Sequence, residues 1–583
     1  MLYPKMTPYR EVITLDGFWH FCKDDESTGI ENKWYEQIPK GREIAVPASI
    51  NEQNSDLMDF FGMCWFEKNL YLSESMRKKN VYLRFGSVTG KCTVWVNSHQ
   101  VAYHEGGSLP FECEISKYLT SEENRIVVLS DNRLDPWSLP PAAMVSKEGR
   151  EGFFLTYPAV TYDFFPYSGI HRSVYLYTTE KKRIEDITIK TFVDNDKARI
   201  EYEVELSEGT EGTVSVQVAE HSCQNEIDVD MTKVCGSIEM MNPRLWDIGQ
   251  PNLYEMKVRL ETTDGIKDEY IQPFGIRTIE VKGNKLLLNQ REIYLRGFGK
   301  HEDFQVLGKG FQPSLVVKDF DLMDWIGANS FRTSHYPYDE NVLDYADRHG
   351  MLIIDETPLV GLNQRMYTKE VLERAKGVIK DLIRRDKNHP SVIMWSMANE
   401  PDAKAKEADD FFCELHKCVR ECDDTRPITY VAYNEPEDNR ALKYCDIVCI
   451  NKYFGWYVTP GEQKLALEQF SECLDKYYEA FQKPIIVAEF GADAVAGMHF
   501  EPARMFSEEY QSEMLEQQCK LIESKEYTIG THVWTFADFM VGQSYTRVLL
   551  NRKGVFTRDR QPKLSAHTLR RIWKGEKNYE SRT

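Results

Sequence analysis

The sequence predicts a multidomain chain of β and α/β class. It should hold a jelly-roll β-sandwich (1–181), an immunoglobulin-like β-sandwich (182–274) and a C-terminal TIM (β/α)8 barrel (275–583). Three observations predict this. A chain of 583 residues exceeds what one hydrophobic core supports. Apolar residues alternate with period two up to Phe274, with helical periodicity nearly absent. From Phe274-Gly275-Ile276-Arg277 onward, short apolar runs alternate with amphipathic segments. Eight such units in about 300 residues is the arithmetic of a closed barrel.

In the first region, Val81-Tyr82-Leu83-Arg84-Phe85 and Cys92-Thr93-Val94-Trp95-Val96-Asn97 alternate, and turn residues such as Gly106-Gly107 and Asn132 separate such runs. Many short strands with Gly/Asn turns need two sheets to bury their inner faces. The charged link Glu180-Lys181-Lys182-Arg183 follows. Strands at 187–193, 198–206 and 254–262 then belong to a set of about seven, the number of an immunoglobulin-like sandwich. Barrel strands are expected at 291–298, 330–335, 351–356, 391–400, 428–432, 447–453, 484–490 and 531–538. The clearest helix is expected at 368–385, where Val371, Leu372, Ala375, Val378, Ile379, Leu382 and Ile383 form one apolar stripe.

A formal net charge of -20 repels phosphate backbones, and no Lys/Arg stripe offsets it, so nucleic acid is excluded as a partner. An anionic substrate would need a local cluster of cations. No apolar run is long enough for a transmembrane helix, and Met1 to Met6 lacks a signal-peptide core. The 13 cysteines are scattered without a CxxC pair; Cys413, Cys418 and Cys422, the closest set, have spacings that suit zinc poorly. Reduced thiols and a cytoplasmic location are expected.

A barrel of this type carries its site at the C-terminal ends of its strands. Those ends bring together His301, His335, Asp355-Glu356, Asn399-Glu400, Tyr453, Glu489 and Trp534. Glu400 ends the run Met394-Trp395-Ser396-Met397-Ala398-Asn399-Glu400, and Glu489 ends Pro484-Ile485-Ile486-Val487-Ala488-Glu489. A carboxylate closing an apolar strand is costly to desolvate. It is either a rim group held in a salt bridge or a working group, and two of them on strands four and seven favour work. Glycoside hydrolysis needs such a pair, one carboxyl protonated to donate and the other ionised to attack. Asp355 and Glu356 compete for these roles. With His301 and His335 they are also the residue types of a metal site, but no local ligand motif joins them, so no metal is expected. Hydrogen bonding to sugar hydroxyls, or support of the pair, is their expected role.

These residues resemble glycoside hydrolase family 2, and within it the bacterial β-glucuronidases, over nearly the whole chain. The likeness runs through Leu15-Asp16-Gly17-Phe18-Trp19, the segment from Asp163-Phe164-Phe165 to Gly169-Ile170-His171-Arg172, Gly299-Lys300-His301-Glu302-Asp303, Arg332-Thr333-Ser334-His335-Tyr336, and the two Glu motifs. It implies a retaining exo-acting hydrolase of terminal β-glucuronides, with Glu400 as acid/base and Glu489 as nucleophile. Asn551-Arg552-Lys553, preceded by Arg547, matches the motif that separates glucuronidases from galactosidases and mannosidases. A C6 carboxylate needs cations and donors where a hydroxymethyl does not. Tyr453 and Tyr457 match sugar-contacting positions, and Asp163 matches one that reaches a ring hydroxyl.

The resemblance further implies a homo-oligomer, a tetramer, and no cofactor required for catalysis. Some gut-bacterial members bind a flavin nucleotide away from the site, and no motif in this sequence selects for it. One departure stands out: 357–369 is short where members active on small aglycones carry a long covering loop, which points to larger or oligosaccharide aglycones. The alternatives are β-galacturonidase or mixed activity, differing only at C4, then β-galactosidase, which Asn551 and Lys553 disfavour. A carbohydrate-binding module without catalysis has no use for two desolvated acids.

Overall fold

The computed structural model describes residues 2–145 and 155–575. The N-terminal region folds as two facing antiparallel sheets. Gly17–Asp24, Arg42–Val46, Met63–Leu70, Gly90–Val96, His99–Gly106 and Asn124–Asp131 make one; Val12–Thr14, Asn80–Phe85, Phe111–Glu114 and Val174–Thr179 make the other. Alternate residues such as Val81, Leu83, Val94, Val96, Ile126 and Val128 fill the space between them. From residue 155 to Val174 the described chain runs against the barrel. It carries Asp163 and Phe164.

The second sandwich pairs three strands (Ile184–Asp194, Lys197–Leu206, Lys233–Met241) with four (Gly212–Val218, His221–Ile227, Leu253–Thr262, Lys267–Gly275). Ile187, Ile200, Val204, Val216, Val258 and Leu260 form its core.

The remaining chain is a closed parallel barrel of eight strands: β1 (Leu295–Lys300), β2 (Ser330–Thr333), β3 (Leu352–Glu356), β4 (Val392–Asn399), β5 (Ile428–Ala432), β6 (Val448–Asn451), β7 (Ile485–Glu489) and β8 (Thr528–Trp534). Several strand ends differ from the sequence expectation. Arg291–Ile293 belongs to a separate three-stranded sheet with Ile279–Lys282 and Lys285–Leu288. Ile279, Leu286, Leu288 and Ile293 from that sheet pack on Leu295, Leu352, Ile354, Ile393 and Ile486, which plugs the N-terminal end of the barrel. β8 begins earlier than expected because Gly530 reads as a breaker yet sits within the strand. There it permits close packing, since a Cβ would stand 2.8 Å from Leu295 Cβ. β2 and β6 also stop short, which places His335 and Tyr453 two residues beyond their strands.

The helix after β3, Lys369–Asp386, starts where the Thr368 hydroxyl accepts from Val371 N. Buried ion pairs tie the first sandwich to its neighbours, Arg10 to Asp268 at 2.5 Å and Arg84 to Glu340 at 2.9 Å. All the cysteines are unpaired. Among the described residues, no helix is long and apolar enough to cross a membrane.

Candidate active site

Glu489 ends β7 and Glu400 follows the last residue of β4, so both stand at the C-terminal mouth. Glu489 is 4% exposed. Arg332, wholly buried on β2, donates to Glu489 Oε1 at 2.5 Å and to Glu356 Oε1 at 2.6 Å. Tyr453 Oη donates to Glu489 Oε2 at 2.6 Å. Glu400 has a different setting. Asn451 Nδ2 donates to its Oε1 at 2.8 Å and to Asn399 Oδ1 at 3.2 Å. Its backbone is left-handed, with φ 49°, a conformation that costs a non-glycine residue about 1–2 kcal/mol. A hydrogen bond from its N–H to Val431 O, 2.8 Å, holds it there.

Burial pushes both carboxyls up. For Glu400 the Asn451 amide and Arg332 work against burial, and Asp163 adds to it. For Glu489 burial outweighs the pull of Arg332, and the charge of Glu400 adds, taking it up to about 8. Glu489 receives a guanidinium and a phenol, whereas Glu400 receives one neutral amide, so Glu489 has the stronger support for a negative charge.

Glu356 supports this arrangement. Besides Arg332 it accepts from Ser396 Oγ at 2.7 Å and bonds His335 Nδ1 at 2.9 Å. Burial raises its carboxyl, but Arg332 and His335 outweigh burial and leave it low, so it stays ionised. Asp355 is a correction to the sequence reading. Neighbouring strand residues face opposite sides, and Asp355 points into the helix layer. Thr333 Oγ1 donates to it at 3.1 Å, and burial with the nearby Asp386 pushes its carboxyl well above the usual range. It contacts neither the pair nor any of the sugar-site candidates.

A second cluster lies beside the first. Lys553 Nζ, 1% exposed, donates to Asp493 Oδ2 and to Tyr457 Oη, both at 2.9 Å. Arg547 grips the Asp163 carboxylate, with Nη2 2.6 Å from Oδ2, and also reaches Tyr457 Oη at 2.7 Å. Asn551 Nδ2 donates to Asp163 Oδ2 at 2.8 Å, while its Oδ1 accepts from Lys553 N at 3.0 Å. Tyr453 and Tyr457, edge to face at 5.1 Å, join the two clusters. Trp534 floors the site, stacked on His335 at 5.1 Å.

His301 sits one layer back, packed among Phe164, Trp534 and Phe539, with Nδ1 on Tyr336 Oη at 3.1 Å. The sequence reading brought Glu400, Glu489, Asn399, Tyr453, His335 and Trp534 to one place and Asp163, Tyr457, Arg547, Asn551 and Lys553 beside them. Arg332, Asn451 and Asp493 were missed as site residues. A buried Arg on an apolar strand was a readable signal for the first, and nothing local marked the other two.

Family models match three consecutive stretches: the sugar binding domain of glycosyl hydrolases family 2 at 12–180, a further family 2 domain at 174–277 and the family 2 TIM barrel domain at 279–578. The chain is 40% identical to a β-glucuronidase of Paenibacillus borealis, over 98% of each chain. It is equally identical to one of Mus musculus, over 98% of this chain and 92% of that one. Among solved structures, a Ruminococcus gnavus β-glucuronidase in complex with D-glucuronic acid superposes with TM-score 0.91 at 36% identity, covering 98% of this chain and 99% of that one. With three family models end to end, a barrel that carries paired glutamates at its mouth, and relatives at this identity over nearly the full length, the protein is a glycoside hydrolase and belongs to glycosyl hydrolases family 2.

Proposed function

We propose that the protein is a retaining exo-β-D-glucuronidase. Glu400 donates its proton to the glycosidic oxygen as Glu489 attacks the anomeric carbon, and the aglycone leaves. A water deprotonated by Glu400 then displaces Glu489 from the sugar. Arg332 and Tyr453 hold Glu489 ionised and aimed, and Asn451 orients Glu400. Hydrolysis moves no electrons, so no step calls for a flavin or another cofactor.

The observation that carries the substrate choice is the buried cluster around Lys553. An ammonium has three N–H donors, and two are spent on Asp493 and Tyr457. The third suits a carboxylate at C6. Asp163, Arg547 and Asn551 stand beside it, which supports recognition of a terminal uronic acid. The 357–369 connection is short, and Tyr433 beyond β5 is 44% exposed, which supports larger or oligosaccharide aglycones. Unpaired thiols suit a cytoplasmic location, and the family resemblance supports a homo-oligomer.

Aryl β-D-glucuronide, β-D-galacturonide and β-D-galactoside should be compared by kcat/KM. The glucuronide should lead. A faster galacturonide would move the assignment to the C4 epimer, and a faster galactoside would remove the role given to Lys553.

A further inference from the structure

Two loops meet at the Lys553 cluster. One follows β7 and carries Asp493; the other follows β8 and carries Lys553. They bond directly, with Arg552 N donating to Asp493 Oδ1 at 2.8 Å and Ala494 N to Arg552 O at 2.9 Å.

Two buried side chains behind the cluster bridge the same loops. Lys563 is 1% exposed, and its Nζ donates to Ala494 O at 2.8 Å, Arg552 O at 3.0 Å and Asp538 Oδ1 at 2.8 Å. That spends all three of its N–H groups. Gln511, on the helix Glu508–Glu523, has its Nε2 2.8 Å from Ala492 O, 3.2 Å from Lys553 O and 3.3 Å from Gly554 O. Its Oε1 accepts from Ser565 Oγ at 2.6 Å. These bonds fall on both neighbours of Asp493, Ala492 and Ala494, and on both neighbours of Lys553, Arg552 and Gly554. There is no slack at Gly554, where a Cβ would stand 2.1 Å from Asp538 N. Among the described residues, neither bridging side chain bonds to the Asp493 carboxylate or the Lys553 ammonium. An apolar side chain would fill the space of Lys563 at less cost in desolvation. An ammonium with three acceptors fixes where the two loops stand.

We propose that Lys563 and Gln511 are positioning residues for substrate choice. By bracketing Asp493 and Lys553 they hold the third N–H of Lys553 where the C6 carboxylate of the substrate arrives. The proposal rests on the reading of Lys553 given above. A lysine side chain is long and flexible, so its aim depends on where its own backbone and its carboxylate partner stand. Hydrogen bonds weaken steeply with distance and angle, and a site loosened by about 0.5 Å already loses its geometry.

The test measures kcat and KM for an aryl β-D-glucuronide and an aryl β-D-galactoside on variants whose folding is checked by Tm. Gln511→Met keeps the length of the side chain but donates nothing. Lys563→Met combined with Asp538→Asn removes the ammonium without stranding a carboxylate. Each should raise KM for the glucuronide by about tenfold, with kcat within about threefold and the galactoside within about twofold. Ser565→Ala only frees the Gln511 amide and should give a smaller shift in the same direction. It keeps the test open if the larger changes fail to fold. In a Lys553→Ala background, Gln511→Met should cost the glucuronide little more, because both changes act on one contact. The proposal is overturned if the folded variants keep the wild-type KM, if both sugars lose alike, or if the losses add in that background. If Lys553→Ala itself spares the glucuronide, the substrate reading fails and takes this proposal with it. If Lys553→Ala is selective and the bridging variants are not, the positioning role alone fails.

Discussion

Around Arg332 one guanidinium serves two carboxylates, whereas around Lys553 each cation has a carboxylate of its own: Lys553 has Asp493, and Arg547 has Asp163. The first cluster carries an excess of acid, and burial raises the carboxyls of both Glu400 and Glu489. The second cluster is balanced. It cannot draw in an anion by net charge, and the whole protein at -20 opposes one. Recognition there depends on the placement of unspent donors, while the first cluster depends on the position of a proton. On the proposed mechanism, proton position governs turnover and donor placement governs choice of substrate.

The largest effect should come from Glu489→Gln, which removes the attacking charge. Turnover should fall by about four orders of magnitude or more with the fold intact by circular dichroism. A 2-fluoro glucuronide should leave its adduct on Glu489 in peptide mass spectra. An adduct on Glu356 would reverse the roles within the first cluster.

Glu400→Gln should cost about 10²–10⁴-fold on substrates with poor leaving groups. It should cost far less on activated phenols, whose departure needs little protonation. Equal losses on both kinds of substrate would show that Glu400 is not the proton donor.

Lys553→Ala should lower kcat/KM for glucuronides by about a hundredfold, the loss of one charge-assisted hydrogen bond plus the cost of an unpaired carboxylate. A β-galactoside should be nearly unaffected. The change also strands Asp493 in the interior, which would destabilise the fold by about 3–5 kcal/mol. The double variant with Asp493→Asn should regain that stability without regaining glucuronide activity. Recovery of activity would show that Lys553 acts on the fold alone.

The pH profile tests the proton that Glu400 donates. Activity needs Glu489 ionised and Glu400 protonated, so kcat/KM should be bell-shaped. Burial holds the Glu400 carboxyl above the usual carboxylate range, so the alkaline limb should fall at a higher pH than a free carboxyl would give. A flat alkaline side would mean that no buried proton is at stake.

The smallest effect lies outside both clusters and acts on stability. Burial lowers His389, but the Asp347 carboxylate, 2.6 Å away, and Asp344 outweigh this and raise it to about 9. A folded-state value above the unfolded one of about 6.5 means the contribution is fully present below pH 6.5 and lost as pH rises through 9. The wild-type Tm should decline over that window more steeply than that of His389→Gln. Parallel curves would discount the pair.

Much of this molecule was legible before any coordinates. Period-two alternation marked the sandwiches, because inner-face residues such as Leu83 and Val94 must be apolar whatever the loops do. The rhythm of strand and helix marked the barrel. Glu400 and Glu489 stood out because an acid closing an apolar strand violates the local pattern. Register was a different matter. Asp355 and Glu356 are adjacent and chemically alike, and only the pleat of β3 decides that one meets Arg332 and the other the helix layer. Ile293 likewise read as part of the first barrel strand, and nothing in the sequence marked the separate sheet it forms with Ile279, Leu286 and Leu288 under the barrel. The partners that tune the site were hidden for a physical reason. Arg332 reaches Glu489 across 157 residues and Lys553 reaches Asp493 across 60, and local pattern records propensity and burial but not which distant side chain closure of the barrel will bring within 3 Å. The sequence alone determined the layers, the barrel and the two glutamates. Closing the barrel decided which partners each glutamate receives and which cations are already spoken for.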